Sequence, residues 1–172
     1  MSQKPQDPIR PPDQEAFEVV DRLMSGAKSA VLAFCLPASG APSISRIGFR
    51  ALSGGGLSLI STLSAHTVAL GHDPRAALLL GDPGPKGDPL AHPRLTLHLT
   101  ARFSDHEAAE RPRLCDLWLE THPKSKLYID FADFRFVRFD WSEGFLNGGF
   151  GRAYRLSADD LNRITADYPS AP

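Results

Sequence analysis

Only two cysteines occur in 172 residues, Cys35 and Cys115, which leaves no basis for a disulfide framework. They lie far apart in apolar surroundings and form no C-x-x-C pair, so buried free thiols are expected rather than a redox or metal site. An excess of charge is missing as well. Nineteen basic against twenty acidic residues leave a formal charge of −1, too little for a field that would hold a nucleic-acid backbone. No apolar run approaches the roughly 20 residues a membrane-crossing helix needs. The opening MSQKPQDPIRPP has no apolar segment of the secretory kind, so a cytoplasmic location is expected. The six histidines never combine with carboxylates or cysteines at a metal-ligand spacing, and no metal is expected.

What is present divides into punctuated segments. Residues 1–12 carry four prolines and few large apolar groups, which suggests a flexible N-terminal arm. Residues 13–168 then read as one domain, with a short tail at 169–172. From Asp13, a plausible N-cap, Phe17, Val20, Leu23 and Met24 recur at helical spacing up to Gly26. SAVLAFCL is continuously apolar and reads as a buried strand. In SISRIGFRA, Ser45, Ile47, Phe49 and Ala51 share one face, and Arg46, Gly48 and Arg50 the other. RLTLHLTARF alternates most cleanly, with His98 on its polar side. Pro112 opens a helix presenting Leu114, Leu117 and Trp118 inward, and Ser157 with Asp160 forms a capping pair. Six or seven strands in hairpin order, with helices inserted rather than alternating, predict an antiparallel barrel with helical decorations.

The segment ISTLSAHTVAL places Ser61, Thr62, Ser64 and Thr67 around a strand-to-helix junction. Unpaired backbone N–H groups and the positive end of the helix dipole favour an anion there. His66 adds a donor that charges near neutral pH, and Arg46 and Arg50 lie a short turn away in the expected hairpin. These groups read as a phosphate cradle; the alternative is an ordinary N-cap beside solvated arginines. Gly148, Gly149 and Gly151 lack the spacing of a nucleotide loop and fit a strand bulge. Ser64 and His66 lack an orienting acid, so no catalytic residue is assigned.

Four segments in order, ISTLSAHTVAL…DPRAALLL, GDPLAHPRLTL, THPKSKLYIDFADF and NGGFGRA, together resemble the pyridoxamine 5′-phosphate oxidase-like proteins of the FMN-binding split-barrel superfamily, nearest its haem-utilisation type. The resemblance covers roughly residues 13–157. It implies a mainly β fold with inserted helices, a six-stranded antiparallel split β-barrel, working as a homodimer with FMN in a cleft between subunits. The cofactor positions it implies are Ser45, Arg46, Ile47 and Gly48 on one strand, Ser61, Thr62, Leu63, Ser64, His66 and Thr67 in the turn, and Arg94 at the flavin edge. Gly48 is expected to let backbone approach the flavin ring. His66 stands where the oxidases have a lysine, whereas Thr62 replaces a usual arginine and Ala69 a usual asparagine, which lowers the expected phosphate affinity. The arginine and histidine that hold pyridoxine phosphate in the oxidases are not apparent after Gly151, and the extra C-terminal region with the axial histidine of haem-degrading relatives is not seen. The resemblance therefore implies an FMN-dependent oxidoreductase of unknown substrate and electron donor, with a non-enzymatic flavin or haem binder as the alternative. His92, His98 and His122 are then the candidate haem ligands.

Overall fold

The computed structural model describes residues 9–149 and 151–172. Residues 1–8 of the expected arm lie outside the described residues; the last part of that arm, β1 (Ile9–Arg10), pairs in parallel with Ala153 and Tyr154. Helix α1 (Gln14–Gly26) follows, and its N-cap Asp13 accepts the Ala16 N–H at 2.8 Å, as its sequence position suggests. Its buried stripe, Ala16, Val20 and Met24, recurs every four residues and lies against the sheet.

The remaining order is β2 (Ser29–Cys35), β3 (Pro42–Gly48), β4 (Arg50–Leu52), β5 (Gly55–Ser61), α2 (Ala65–His72), β6 (Arg75–Leu80), β7 (Arg94–Phe103), α3 (Arg111–Thr121), a short 3-10 helix (Pro123–Leu127), β8 (Phe134–Asn147), β9 (Ala153–Ser157) and α4 (Ala158–Ile164). The expectation of six strands is corrected, because the sheet has nine and is mixed rather than wholly antiparallel. Six of them span six residues or more; the others are short, β1 with two residues, β4 with three and β9 with five. Short edge pieces of this kind carry too little periodicity to be read from a sequence. The main path runs β1-β9-β8-β7-β6-β2-β3. β8 serves two neighbours on one edge, β5 along Phe134–Phe139 and β9 along Glu143–Asn147. The free edge of β3 curls back towards β5, where the Ser58 hydroxyl donates to the Gly48 carbonyl at 2.8 Å, with no ladder between the two strands among the described residues.

Inside the curl lies the main core, with Leu32, Phe49, Leu78, Leu95, Leu97 and Phe139 almost fully buried. A second core forms on the outer face of β4, β5 and β8, where α3 lays Leu114 and Trp118 on Leu57, Leu59 and Phe136. The tail turns back here: Pro169 accepts the Ser53 N–H and Ala171 packs on this second core. Contrary to the expected burial of both thiols, Cys35 is exposed at the end of β2 and Cys115 is half-buried; both are free.

One irregularity governs which side chains meet outside the sheet. His98 pairs with Glu143 but the next residue, Leu99, pairs with Trp141, so Ser142 is an extra residue in β8. A bulge shifts the two-residue alternation by one. Val137, Phe139 and Trp141 face the core before it, and Leu146 faces the core after it, which turns Glu143 and Phe145 outward.

Candidate functional site

The turn after β5 adopts the junction its residues suggest. Ser64 is the N-cap of α2, and its carbonyl accepts the N–H groups of Thr67 and Val68. The hydroxyls, however, are largely committed within the chain. Ser61 Oγ donates to the Asp133 carboxylate at 2.6 Å, Thr67 Oγ1 donates to the Ser61 carbonyl at 2.6 Å, and the Thr62 N–H donates to the Asp133 carbonyl at 2.7 Å. Leu63, whose N–H reaches Ser61 Oγ, leaves its side chain 84% exposed. Ser64 makes no side-chain capping bond and keeps its hydroxyl free.

His66 does not bring a cation to this turn. It is only 9% exposed, its ring stands edge-on to Phe34 with centroids 6.2 Å apart, and its Nε2 is buried without a partner. Burial lowers its pKa, so the ring is neutral at pH 7. The turn thus offers Thr62, Ser64 and the first amides of α2, with the Asp133 carboxylate beside them. As arranged, the Ser61 hydroxyl is committed to the Asp133 carboxylate, a negative charge that works against a phosphate dianion at this corner.

Strand β3 places its four expected positions on two faces. Ser45 and Ile47 point inward, Ile47 being buried in the main core. Arg46 points outward, with a solvent-exposed ion pair to Asp82 at 3.6 Å. Gly48 receives an aromatic neighbour from its own chain: a Cβ there would stand 3.0 Å from the Trp118 ring. Arg50, expected beside Arg46 at the cradle, is instead 8% exposed and bound to α3, donating to the Leu117 carbonyl and, at 2.8 Å, to Glu120. Alternation accounts for this, since Gly48, two residues before it, already faces Trp118 of the same helix. Arg94 opens β7 and donates to the Leu90 carbonyl at 3.1 Å. It pairs with Asn147, whereas Ser61 pairs with Phe134, so Arg94 and the turn lie at opposite ends of β8. The structure therefore groups Ser61, Thr62, Leu63, Ser64, His66 and Thr67, and holds Arg94 apart from them, while β3, which carries Arg46, passes beside β5 at Gly48 and Ser58.

A different concavity lies on the outer face. A groove of about 660 Å³ runs across β3, β2, β6 and β7, floored by Ala33 and Ala77 and flanked by Ile44, Cys35, His98 and Ser142. Register explains it: Ile44 pairs with Ala33, Ala33 with Ala77 and Ala77 with His98, so one row crosses four strands with two methyl groups at its centre. Ile44, 72% exposed, walls one side. On the other, His98 Nδ1 lies 3.0 Å from Glu143 Oε1, and Arg155 donates to Glu143 Oε2 at 2.6 Å. Those two bonds, that from Arg155 foremost, hold the Glu143 carboxyl below its usual range. An ionised carboxylate only accepts, so the hydrogen of that bond sits on His98 Nδ1, and Nε2 has no partner among the described residues. Arg46 lies two residues along β3 from Ile44 on the same face, about 7 Å away at strand spacing.

This trio of His98, Glu143 and Arg155 escapes sequence reading. His98 is visible on the polar face of β7, but the partnership with Glu143 depends on the bulge at Ser142, and the nearby Gly144 hints at an irregularity without fixing its position or the partner strand. The alternation of β3 side chains and the helix start at Ser64 follow from strand periodicity and capping chemistry and are legible for that reason.

Comparison with known proteins gives the fold company. No family model and no curated protein matches the chain. One solved structure is 38% identical to it, covering 88% of this chain and 98% of the other at a TM-score of 0.77. A heme binding protein from Mycobacterium smegmatis is 25% identical, covering 94% of this chain and 63% of its own, with a TM-score of 0.76. The chain thus spans a little under two thirds of that protein's length. A protein of the pyridoxinephosphate oxidase family from Clostridium acetobutylicum, related to general stress protein 26, shares the fold at 15% identity and a TM-score of 0.66, with 87% of this chain and 99% of the other covered.

Proposed function

The chain belongs to the pyridoxamine 5′-phosphate oxidase-like split-barrel family, on its haem-utilisation branch, and from that premise we propose that it binds a flat conjugated cofactor in the outer groove, with haem the cofactor its residues suit best. The observation that carries this reading is the groove itself: an apolar floor of Ala33 and Ala77 with a histidine nitrogen free at one side and an arginine near its rim. The likeness to the mycobacterial heme binding protein over 94% of the chain supports the same choice.

Haem held there supplies an iron centre that can change oxidation state. The protein's own part is to shield and orient. Ala33 and Ala77 would floor the slot in which the ring stands, and Ile44 would shield the ring face opposite His98. Arg46 leaves its weak, exposed pair with Asp82 and meets an acidic substituent. A second copy of the chain would close the open side of the groove, where Ile44 at 72% and Leu79 at 39% exposure offer apolar contact, and the working unit in this reading is a homodimer.

FMN is the second reading, with the protein then a flavin-dependent oxidoreductase of unknown substrate. It is favoured by the free Ser64 hydroxyl at the start of α2 and by the 64% exposed Arg46 side chain. It requires Ser61 to exchange Asp133 for a phosphate oxygen. Titration of the purified protein with haemin and, separately, with FMN decides between them. The proposal expects a shifted, saturable Soret band with haemin and little quenching of flavin fluorescence; tight flavin quenching without a Soret shift overturns it. Light scattering tests the dimer, and a monomer at working concentration would contradict the two-sided groove.

A further inference from the structure

Three histidines are available in principle as iron ligands, and the structure separates them. His122 is stacked on Trp118 with centroids 3.8 Å apart, and its ring nitrogens are taken by Thr121 Oγ1 at 2.8 Å and the Lys28 carbonyl at 2.8 Å. His92 gives its Nε2 to the Lys86 carbonyl at 3.0 Å and lies off the groove. His98 alone of the three lines the groove, with Nδ1 engaged by Glu143 and Nε2 free.

Resting on the haem reading above, we infer that His98 Nε2 is the axial ligand of a haem iron seated in the groove, with Glu143 as its orienting partner and Arg155 fixing Glu143. A histidine that ligates a metal commonly donates its other ring N–H to a carboxylate, which sets the tautomer, fixes the ring and makes the ligating nitrogen more basic. That arrangement is complete here before any metal arrives. Glu143 receives His98 on one oxygen and Arg155 on the other, at 3.0 and 2.6 Å. Phe145 limits ring rotation from one side, with centroids 5.3 Å apart. Arg155 in turn lies over the Phe145 ring, 5.4 Å from its centroid. The bulge at Ser142 is the device that brings the trio together, since without the extra residue Glu143 would face the core and His98 would stand alone. Beside the imidazole, the methyl groups of Ala77 and Ala33 leave the space a flat ring needs. The bond formed is dative: the Nε2 lone pair enters the iron coordination sphere in place of solvent, the iron keeps its oxidation state, and the Nδ1 proton stays on Glu143's hydrogen bond.

The test uses haemin and the intact chain as wild type, His98→Ala and Glu143→Gln, with folding followed by far-UV circular dichroism. Wild type is expected to give the visible and electron paramagnetic resonance signature of imidazole ligation. His98→Ala should lose that signature and regain it on addition of free imidazole, with haemin affinity down by more than about 10-fold. Glu143→Gln should keep the signature but bind about 10-fold more weakly, the lower range for loss of a ligand's orienting partner. If wild type binds haemin and His98→Ala keeps the same spectrum and affinity, the ligand inference is overturned while the haem reading stands. If wild type shows no saturable Soret change, the reading beneath it fails. The side chain of His98 is 46% exposed, so its truncation leaves the fold intact.

Discussion

Replacing Asp133 with asparagine should turn the Ser61 to Thr67 turn from a poor anion site into a usable one. The carboxylate accepts from Ser61 Oγ at 2.6 Å, so a phosphate oxygen that took over that hydroxyl's one hydrogen would stand only about 4–5 Å from it. Two unit charges at about 4 Å repel by about 1 kcal/mol even with the full dielectric of water, and a phosphate monoester carries nearly two. The penalty is therefore about 2 kcal/mol, or about 30-fold in affinity, as a lower bound for a partly dry corner. Asparagine keeps an oxygen that can accept from Ser61, so the turn itself should persist. Flavin fluorescence quenching in low salt measures the effect, with riboflavin, which lacks the phosphate, as the control. Asp133→Asn should tighten FMN about 30-fold and leave riboflavin unchanged. Equal FMN affinity in both proteins, or tight FMN binding by the wild type, would refute the claim that this acid disqualifies the turn.

Other consequences follow from residues assigned to structure. Arg50→Ala removes a buried guanidinium from the Leu117 carbonyl and Glu120; it should cost about 2–3 kcal/mol in urea unfolding and leave cofactor affinity unchanged, against the expectation for a cradle residue. Gly48→Val drives a branched side chain into a Trp118 ring already 3.0 Å from an ideal Cβ, and about 1–3 kcal/mol of overpacking should appear in the same assay. Burial lowers the pKa of both His66 and His122 below the ordinary histidine value of 6.5. Their unfolded forms therefore bind more protons, so the stability they contribute is fully present above that value and is lost as pH falls from it through the folded values. Urea midpoints at pH 7.5 and pH 5 should show this fall, and removing both imidazoles should flatten it.

The parts of the molecule that could be read from the chain are those governed by local rules. α1 followed from its cap and its spacing, β7 from strict alternation, and the α4 start from the Ser157 and Asp160 capping box, which the structure reproduces. The turn at residues 61–67 was legible as a strand-to-helix junction because hydroxyl residues cap helices. What failed to show was every fact settled by distant partners. Nothing near Ser61 announces Asp133, 72 residues on, and nothing near Arg50 announces Glu120, 70 residues on. His66 has the composition of a donor, yet the approach of β2 buries it against Phe34. The groove escaped for a related reason: a row of Ile44, Ala33, Ala77 and His98 exists only once four strands are in register.

Where a bound ring sits distinguishes the outer groove from the α2 turn more directly than any affinity. A crystal of the protein grown with haemin should show the tetrapyrrole standing between Ile44 and His98, its edge on Ala33 and Ala77, with iron on His98 Nε2. Haem density at the Ser61 to Thr67 turn, or on another histidine with the groove unfilled, would contradict the account.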